Sequence, residues 1–428
     1  MRNSHFLCPT HEHLLNRRTL MQWAAGLAGA GVLSSTAQAK PTPKENPKQI
    51  LFIWLDGGIS QLESWDPKPG TPFGGPFRAI PTSVPGIHIS ELLPHTAKQM
   101  HHLSLVRSLH TQDNSHSAGV DRIQRGDPKN RGVTYPFLGS AVAKLLGPTS
   151  SGLPPYISIK PGSGGFITKD AGFLGPDFSA LALGDGKPPE NLLPPPTISP
   201  TLDEQRDELR GFFDAEYAKE RQSKTAESLK KIHEIAQQLR KHRDLFDENS
   251  YSAKDKERYG THELGRHMLI ARRMIEAGVR FTKVTSYGWD THGDNFHGSA
   301  SLVPQFDQPF AALLEDLHER KLLDQVLVIA MSEFGRTPRI NGHLGRDHWP
   351  EAWSLAMGGA GIQAGAVYGR TNDKGTDVAE GEVDIGHLFH TWFRAVNVDP
   401  FFVEYDNNGQ PLPIAHDNCK PITALLRK

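Results

Sequence analysis

Cysteine is nearly absent from this chain of 428 residues: Cys8 and Cys419 are the only two. Two thiols so placed give no disulfide framework, so a packed core must hold the fold together. They also exclude a zinc site built on thiolates. An excess of charge of either sign is lacking too. The 47 basic and 48 acidic residues leave a formal net charge of -1, which argues against nucleic acid and anionic membranes as partners. Long apolar runs are also missing. The stretch from Trp23 to about Leu33 is too short, and too rich in Gly and Ala, to span a bilayer. No internal repeat is visible. What is abundant is histidine, with 21 residues, and that raises the expectation of metal binding or acid–base work.

The first residues set themselves apart from the fold. Arg17-Arg18 precedes the Gly/Ala-rich stretch, and Ala37-Gln38-Ala39 satisfies the small-x-small cleavage rule. Residues 1–39 are therefore expected to be a twin-arginine export signal, with the mature chain starting near Lys40 and working in the periplasm or outside the cell. Cys8 would leave with the signal. Residues 40–48 form a Pro/Lys linker, and 49–428 are expected to form one domain with no membrane span.

Within that domain the stretch from Ser332 to Pro350 organises the reading. The uncharged run Val326–Met331 stops abruptly at Glu333, and a glycine-rich segment dense in ligand-type groups follows. A buried parallel strand has this pattern where it ends at an active edge. Ile50–Leu55 repeats it, ending in Asp56 before Gly57-Gly58, and Arg280–Thr285 repeats it again, opening into Gly288–Asn295. Further strands are expected at Leu103–Arg107, Tyr156–Ile159 and Ser354–Met357. Helices are expected up to Gln124 and over 137–146, His262–Ala277, Phe306–Arg320 and Val383–Val396. Residues 66–98 read as proline-rich loop, and 203–250 as a charged helical insertion with Leu229, Ile232, Ile235, Leu239 and Leu245 at helical spacing. The alternation predicts an α/β fold, with a mostly parallel central sheet covered by helices on both faces.

Asp56, Asp290, His292, Glu333, Asp347 and His348 are the expected metal ligands. Carboxylates mixed with imidazoles suit Zn or Mn, and an all-oxygen subset would suit Mg or Ca. A two-metal centre of this kind clamps the attacking and leaving oxygens of a displacement at phosphorus, and sulfate esters offer similar geometry. Ser115 and His116 are candidates for nucleophile and acid–base catalyst, with Thr111, Ser117 and Ser60 as rival hydroxyls. Arg336 and Arg346, with Arg107, could bind an oxyanion. Each has a duller reading: Asp56 as a turn residue, Glu333 paired with Arg336, the arginines in salt bridges. His387 and His390 lie one turn apart on the last helix, where one of them is expected to be a core histidine.

GGISQLESWDPKP at 57–69, GWDTHGDNF at 288–296, SEFGRTPRINGHLGRDHWP at 332–350 and GGAGIQAGAVYGRT at 358–371 resemble the exported DUF1501 proteins, as does Arg17-Arg18. The resemblance spans nearly the whole mature chain. It implies membership of the alkaline phosphatase and sulfatase superfamily, a metal centre at one sheet edge, and Glu333 as the strand-end acid, with Asp290, His292, Asp347 and His348 as further ligands. The family often lacks an acid at the position of Asp56, and nothing matches the Cys-x-Pro-x-Arg motif that formylglycine sulfatases need. The expectation is an exported metal-dependent hydrolase of phosphate esters ahead of sulfate esters, acting on a small-molecule or glycan ester. The alternative is an inactive sulfatase-like envelope protein that binds glycan or protein.

Overall fold

The computed structural model describes residues 48–427 except 127–130, 161–169, 188–191, 193–194, 196 and 221–223. The expected export signal, its cleavage site and residues 40–47 of the linker lie outside the described residues. Eight strands build the central sheet: β1 (Gln49–Leu55), β2 (Leu103–Leu109), β3 (Tyr156–Ile159), β4 (Leu181–Leu183), β5 (Phe281–Ser286), β6 (Val326–Met331), β7 (Trp353–Gly359) and β8 (Ala366–Tyr368). Their spatial order is β8-β2-β7-β6-β1-β5-β3-β4. Every neighbouring pair is parallel except those made by β7, which runs antiparallel to both β2 and β6.

The longer helices are α1 (His116–Arg125), α2 (Leu138–Leu146), α3 (Pro200–Glu220), α4 (Lys224–Lys241), α5 (Glu263–Glu276), α6 (Asn295–Glu319) and α7 (Ile385–Ala395). They cover both faces of the sheet. Leu51, Ile53 and Leu55 of β1 enter one core with Met268, Met274, Phe306 and Phe310 of α5 and α6. Ile50, Phe52 and Trp54 enter the other with Leu138, Val142, Phe389 and Trp392 of α2 and α7. Both faces of β1 are thus buried, which is why its sequence is a continuous apolar run rather than an alternating one. No described helix is long and apolar enough to cross a membrane.

Two expectations need correction. Helix α6 begins at Asn295, eleven residues before Phe306, and runs through Pro304 and Pro309. Proline removes a backbone donor and normally marks a helix boundary, but Val303, Phe306 and Phe310 pack into the core and hold the helix through both. The stretch 66–98 is not all loop, since Ala79–Pro81 pairs with His88–Ser90 and Pro94–Lys98 is a short helix.

The register brings the strand ends to one edge. Leu55 lies opposite Ser286, and Trp54 opposite Met331, so β1, β5 and β6 finish together. The chain then turns through Gly57 and Gly58, at φ +114° and +97°. A Cβ on Gly57 would lie 2.5 Å from the backbone nitrogen of Asp290, so this crossing admits only glycine. Past β6, Gly335–Arg336 pairs antiparallel with His348–Trp349 and folds the second ligand-rich loop back over the same edge.

Candidate metal centre

Three imidazoles converge on the Asp290 carboxylate. His348 Nε2 and His292 Nε2 each lie 3.1 Å from Asp290 Oδ1, and His116 Nε2 lies 3.2 Å from Oδ2. The Nε2 atoms of His292 and His348 are 3.0 Å apart. His116, Asp290 and His348 each offer one ligand atom within 4.8 Å of the others.

The far side of each ring is anchored. His116 Nδ1 is 2.8 Å from Glu333 Oε1, His292 Nδ1 is 2.7 Å from Asp347 Oδ1, and His348 Nδ1 is 2.6 Å from the carbonyl of Asn114. A carboxylate or carbonyl at Nδ1 favours the proton on that nitrogen, so that Nε2 would be the atom to bind a cation. All three Nε2 atoms then face the same small space beside a carboxylate.

Charge follows the same plan. Burial pushes the Asp290 carboxyl up, but Arg336, with His348 and His292, outweighs burial and brings it down to about 2. Burial lowers the pKa of His348, favouring its neutral form. The hydrogen bond that His116 donates to Glu333 raises that of His116. Burial also pushes the Glu333 carboxyl up. Its Oε1 accepts from the backbone N–H of Gly57 at 3.0 Å, while its buried Oε2 has no hydrogen-bond partner among the described residues.

Both candidate anion-binding arginines are turned inward. Arg336 is fully buried. It donates to the carbonyls of Gly57 and Gly58 and pairs with Asp290 Oδ1 at 2.5 Å. Arg346, also fully buried, grips Glu63 through Nε at 3.1 Å and Nη2 at 2.7 Å, and donates to the carbonyls of Phe73 and Thr337. Asn295 at the start of α6 donates to the same Glu63 carboxylate at 3.1 Å.

Other sequence candidates make contacts of their own. Asp56 accepts the Trp54 indole N–H at 2.8 Å. Ser115 caps α1 by accepting from Ala118 N at 3.4 Å. Thr111 accepts the Trp353 indole, Ser60 is buried, and Arg107 lies 3.6 Å from Asp66. His387 closes a capping box with Asp384 at the start of α7. His390 Nε2 is 2.9 Å from the His416 carbonyl. Sequence reasoning missed Glu63, Asn295 and Asn341, whose amide donates at 3.0 Å to both Asp347 Oδ1 and the His292 carbonyl.

It also missed Lys283 on β5. Burial lowers this lysine to about 8, against raising effects from Asp56, Asp170 and Glu333. Its ammonium donates to Gln124 Oε1 at 3.1 Å. Between pH 8 and 10.5 the unfolded chain binds more protons at this group, so stability should rise with pH over that window. The shift amounts to about 3 kcal/mol; the side chain is partly accessible to solvent, so about 2 kcal/mol is expected after screening. Urea unfolding of wild type and Lys283→Met across the window checks it: the rise should be absent from the variant.

No curated protein matches the chain. Among solved structures it is similar to Ps i-CgsB in complex with k-i-k-neocarrahexaose, at 12% identity and TM-score 0.40, covering 86% of this chain and 75% of that one. It is similar to the lipoteichoic acid synthase LtaP from Listeria monocytogenes, at 7% identity and TM-score 0.37, again over 86% and 75% of the two chains. A mutant of TAB5 alkaline phosphatase with Mg bound shows 12% identity and TM-score 0.35, over 83% and 99%. These likenesses are too distant to carry an activity across. The family described as "Protein of unknown function (DUF1501)" matches residues 47–426. With nearly the whole described chain inside that match, this protein belongs to the DUF1501 family.

Proposed function

We propose that the chain is an exported, metal-dependent hydrolase of phosphate esters ahead of sulfate esters. One observation carries the reading: three imidazole Nε2 atoms and the Asp290 carboxylate meet in one place, each ring fixed from behind. The donor set fits a divalent cation, with mixed imidazole and carboxylate favouring Zn or Mn over Mg or Ca. His116, Asp290 and His348 would hold it, with His292 and Asp347 alongside. A divalent cation there supplies Lewis-acid polarisation of the ester oxygens.

The chain's own groups supply the rest. Asp290 stays anionic through the neutral range because its carboxyl lies near 2. Glu333 and Asn114 set the tautomers of His116 and His348. Arg336 positions Asp290 rather than meeting substrate, and Arg346 positions the loop walls. Ser115 and Ser117, exposed at the start of α1 on either side of His116, are the proposed candidates for the attacking hydroxyl.

Metal analysis of purified chain, followed by turnover of aryl phosphate and aryl sulfate, tests the reading. Bound Zn or Mn and phosphate turnover that His348→Ala abolishes together would support it. Metal-free protein without turnover after Zn or Mn loading would sink it. A second reading, an inactive binder of glycan or protein, draws on the Arg336–Asp290 pair, which partly neutralises the central ligand. Glu333→Gln gives a finer test. It weakens the support behind His116, and metal affinity is expected to fall about 10- to 100-fold, as a competing-chelator titration would read.

A further inference from the structure

Beside the candidate centre lies a cavity of about 580 Å³, whose wall includes Phe73, Arg339, Asn341, Asp347, Trp349 and Thr376. Its size suits a small organic ligand. Asp347 belongs to both places, since its carboxylate also anchors His292. Arg346 holds the walls together from behind, because its buried guanidinium binds the carbonyls of Phe73 on one side and Thr337 and Pro338 on the other.

The lining combines three chemistries. Trp349 and Phe73 offer aromatic surface. The buried Nε1 of Trp349 donates to no described residue. Asp347 offers an exposed carboxylate as acceptor for a hydroxyl, while the Asn341 amide and the Thr376 hydroxyl are held by their neighbours and give the wall its shape. Arg339 is exposed at the cavity, and no described residue pairs with its guanidinium. Aromatic faces beside a carboxylate acceptor fit the apolar face and a hydroxyl of a pyranose ring. A free guanidinium among them fits a carboxylate or sulfate on that ring, as a bidentate partner. A nucleotide would use the same aromatic face and arginine, so AMP serves as the competing probe.

We propose that this cavity seats an acidic sugar residue of the substrate, with Arg339 reading its anionic group and Trp349 its ring face. The proposal rests on the hydrolase reading for its place in a reaction. Its test does not, because binding can be read without metal or turnover.

Metal-depleted full-length protein would be titrated calorimetrically with cellobiouronic acid, with cellobiose and with AMP. The two disaccharides differ only in a carboxylate against a hydroxymethyl group. The acid is expected to bind at least about tenfold more tightly than cellobiose, the scale of one charge-assisted hydrogen bond. Arg339→Gln, an exposed substitution, should erase that difference, and Trp349→Leu should weaken both disaccharides. Circular dichroism melts of each variant guard against misfolding. Equal affinity for the two disaccharides, no binding of either, tighter binding of AMP, or discrimination that survives Arg339→Gln would each overturn the proposal. Metal retention and aryl phosphate turnover would meanwhile judge the hydrolase reading separately.

Discussion

Asp290→Asn is expected to lower affinity for a divalent cation by more than about 100-fold, beyond the range seen for altering an outer-shell partner. Asparagine keeps the shape and one acceptor but removes the anion that His116, His292 and His348 all face. If the chain is the proposed hydrolase, loss of that electrostatic centre should lower kcat/KM by about 100- to 1,000-fold, the scale for removing one strong contact to developing charge. A second effect must be separated from the first. Arg336 is wholly buried, and its ion pair with Asp290 would go. Asp290 is 42% exposed, so water offsets part of the loss, and about 1–2 kcal/mol of stability should follow, less than for a fully buried pair. Elemental analysis of dialysed protein reads the metal, and urea unfolding reads the stability. Wild-type metal content in this variant would remove Asp290 from the centre.

Arg346→Met should destabilise the fold by about 3–5 kcal/mol, because it strands a buried partner charge. Both Arg346 and Glu63 have fully buried side chains. The guanidinium also satisfies the carbonyls of Phe73, Thr337 and Pro338, so its removal leaves several acceptors unpaired at once. Glu63→Gln should be milder, since an amide can still hydrogen-bond Arg346 and Asn295. Changing Glu63 and Arg346 together to Gln and Met should recover part of the loss, because no lone charge remains. Chemical unfolding of the singles and the double measures the coupling. A loss below 1 kcal/mol in Arg346→Met would show that the pair is not what ties these loops.

The layers of this fold were legible because buried parallel strands leave a plain mark. Val326–Met331 and Ile50–Leu55 carry no charge and stop at polar, glycine-rich turns, and both are central strands. The antiparallel direction of β7 was not legible, since strand direction is set by connections and partners rather than by its own residues. The start of α6 was hidden by two prolines that only tertiary packing explains. At the site, the residue types at the strand ends could be read, but their grouping could not. Asp56 and Asp290 both follow apolar strands, and Asp56 carried a turn reading as well; it meets Trp54, while Asp290 meets three histidines. His116 was read for acid–base work, whereas its Nε2 faces the same carboxylate as His348. Glu63 sits 283 positions from Arg346, and no local pattern announces a pair so far apart.

That wide separation bears on assembly. The cluster needs the segment after β2, the segment after β5 and the loop after β6 to arrive together, and parallel strands make such meetings slow. Cation capture should therefore be a late event, a latch that closes only once nearly the entire polypeptide is in place. Fragments ending before the Gly335–Trp349 hairpin would lack His348 and should pass ions by, so metal uptake can serve as a clock for completed folding.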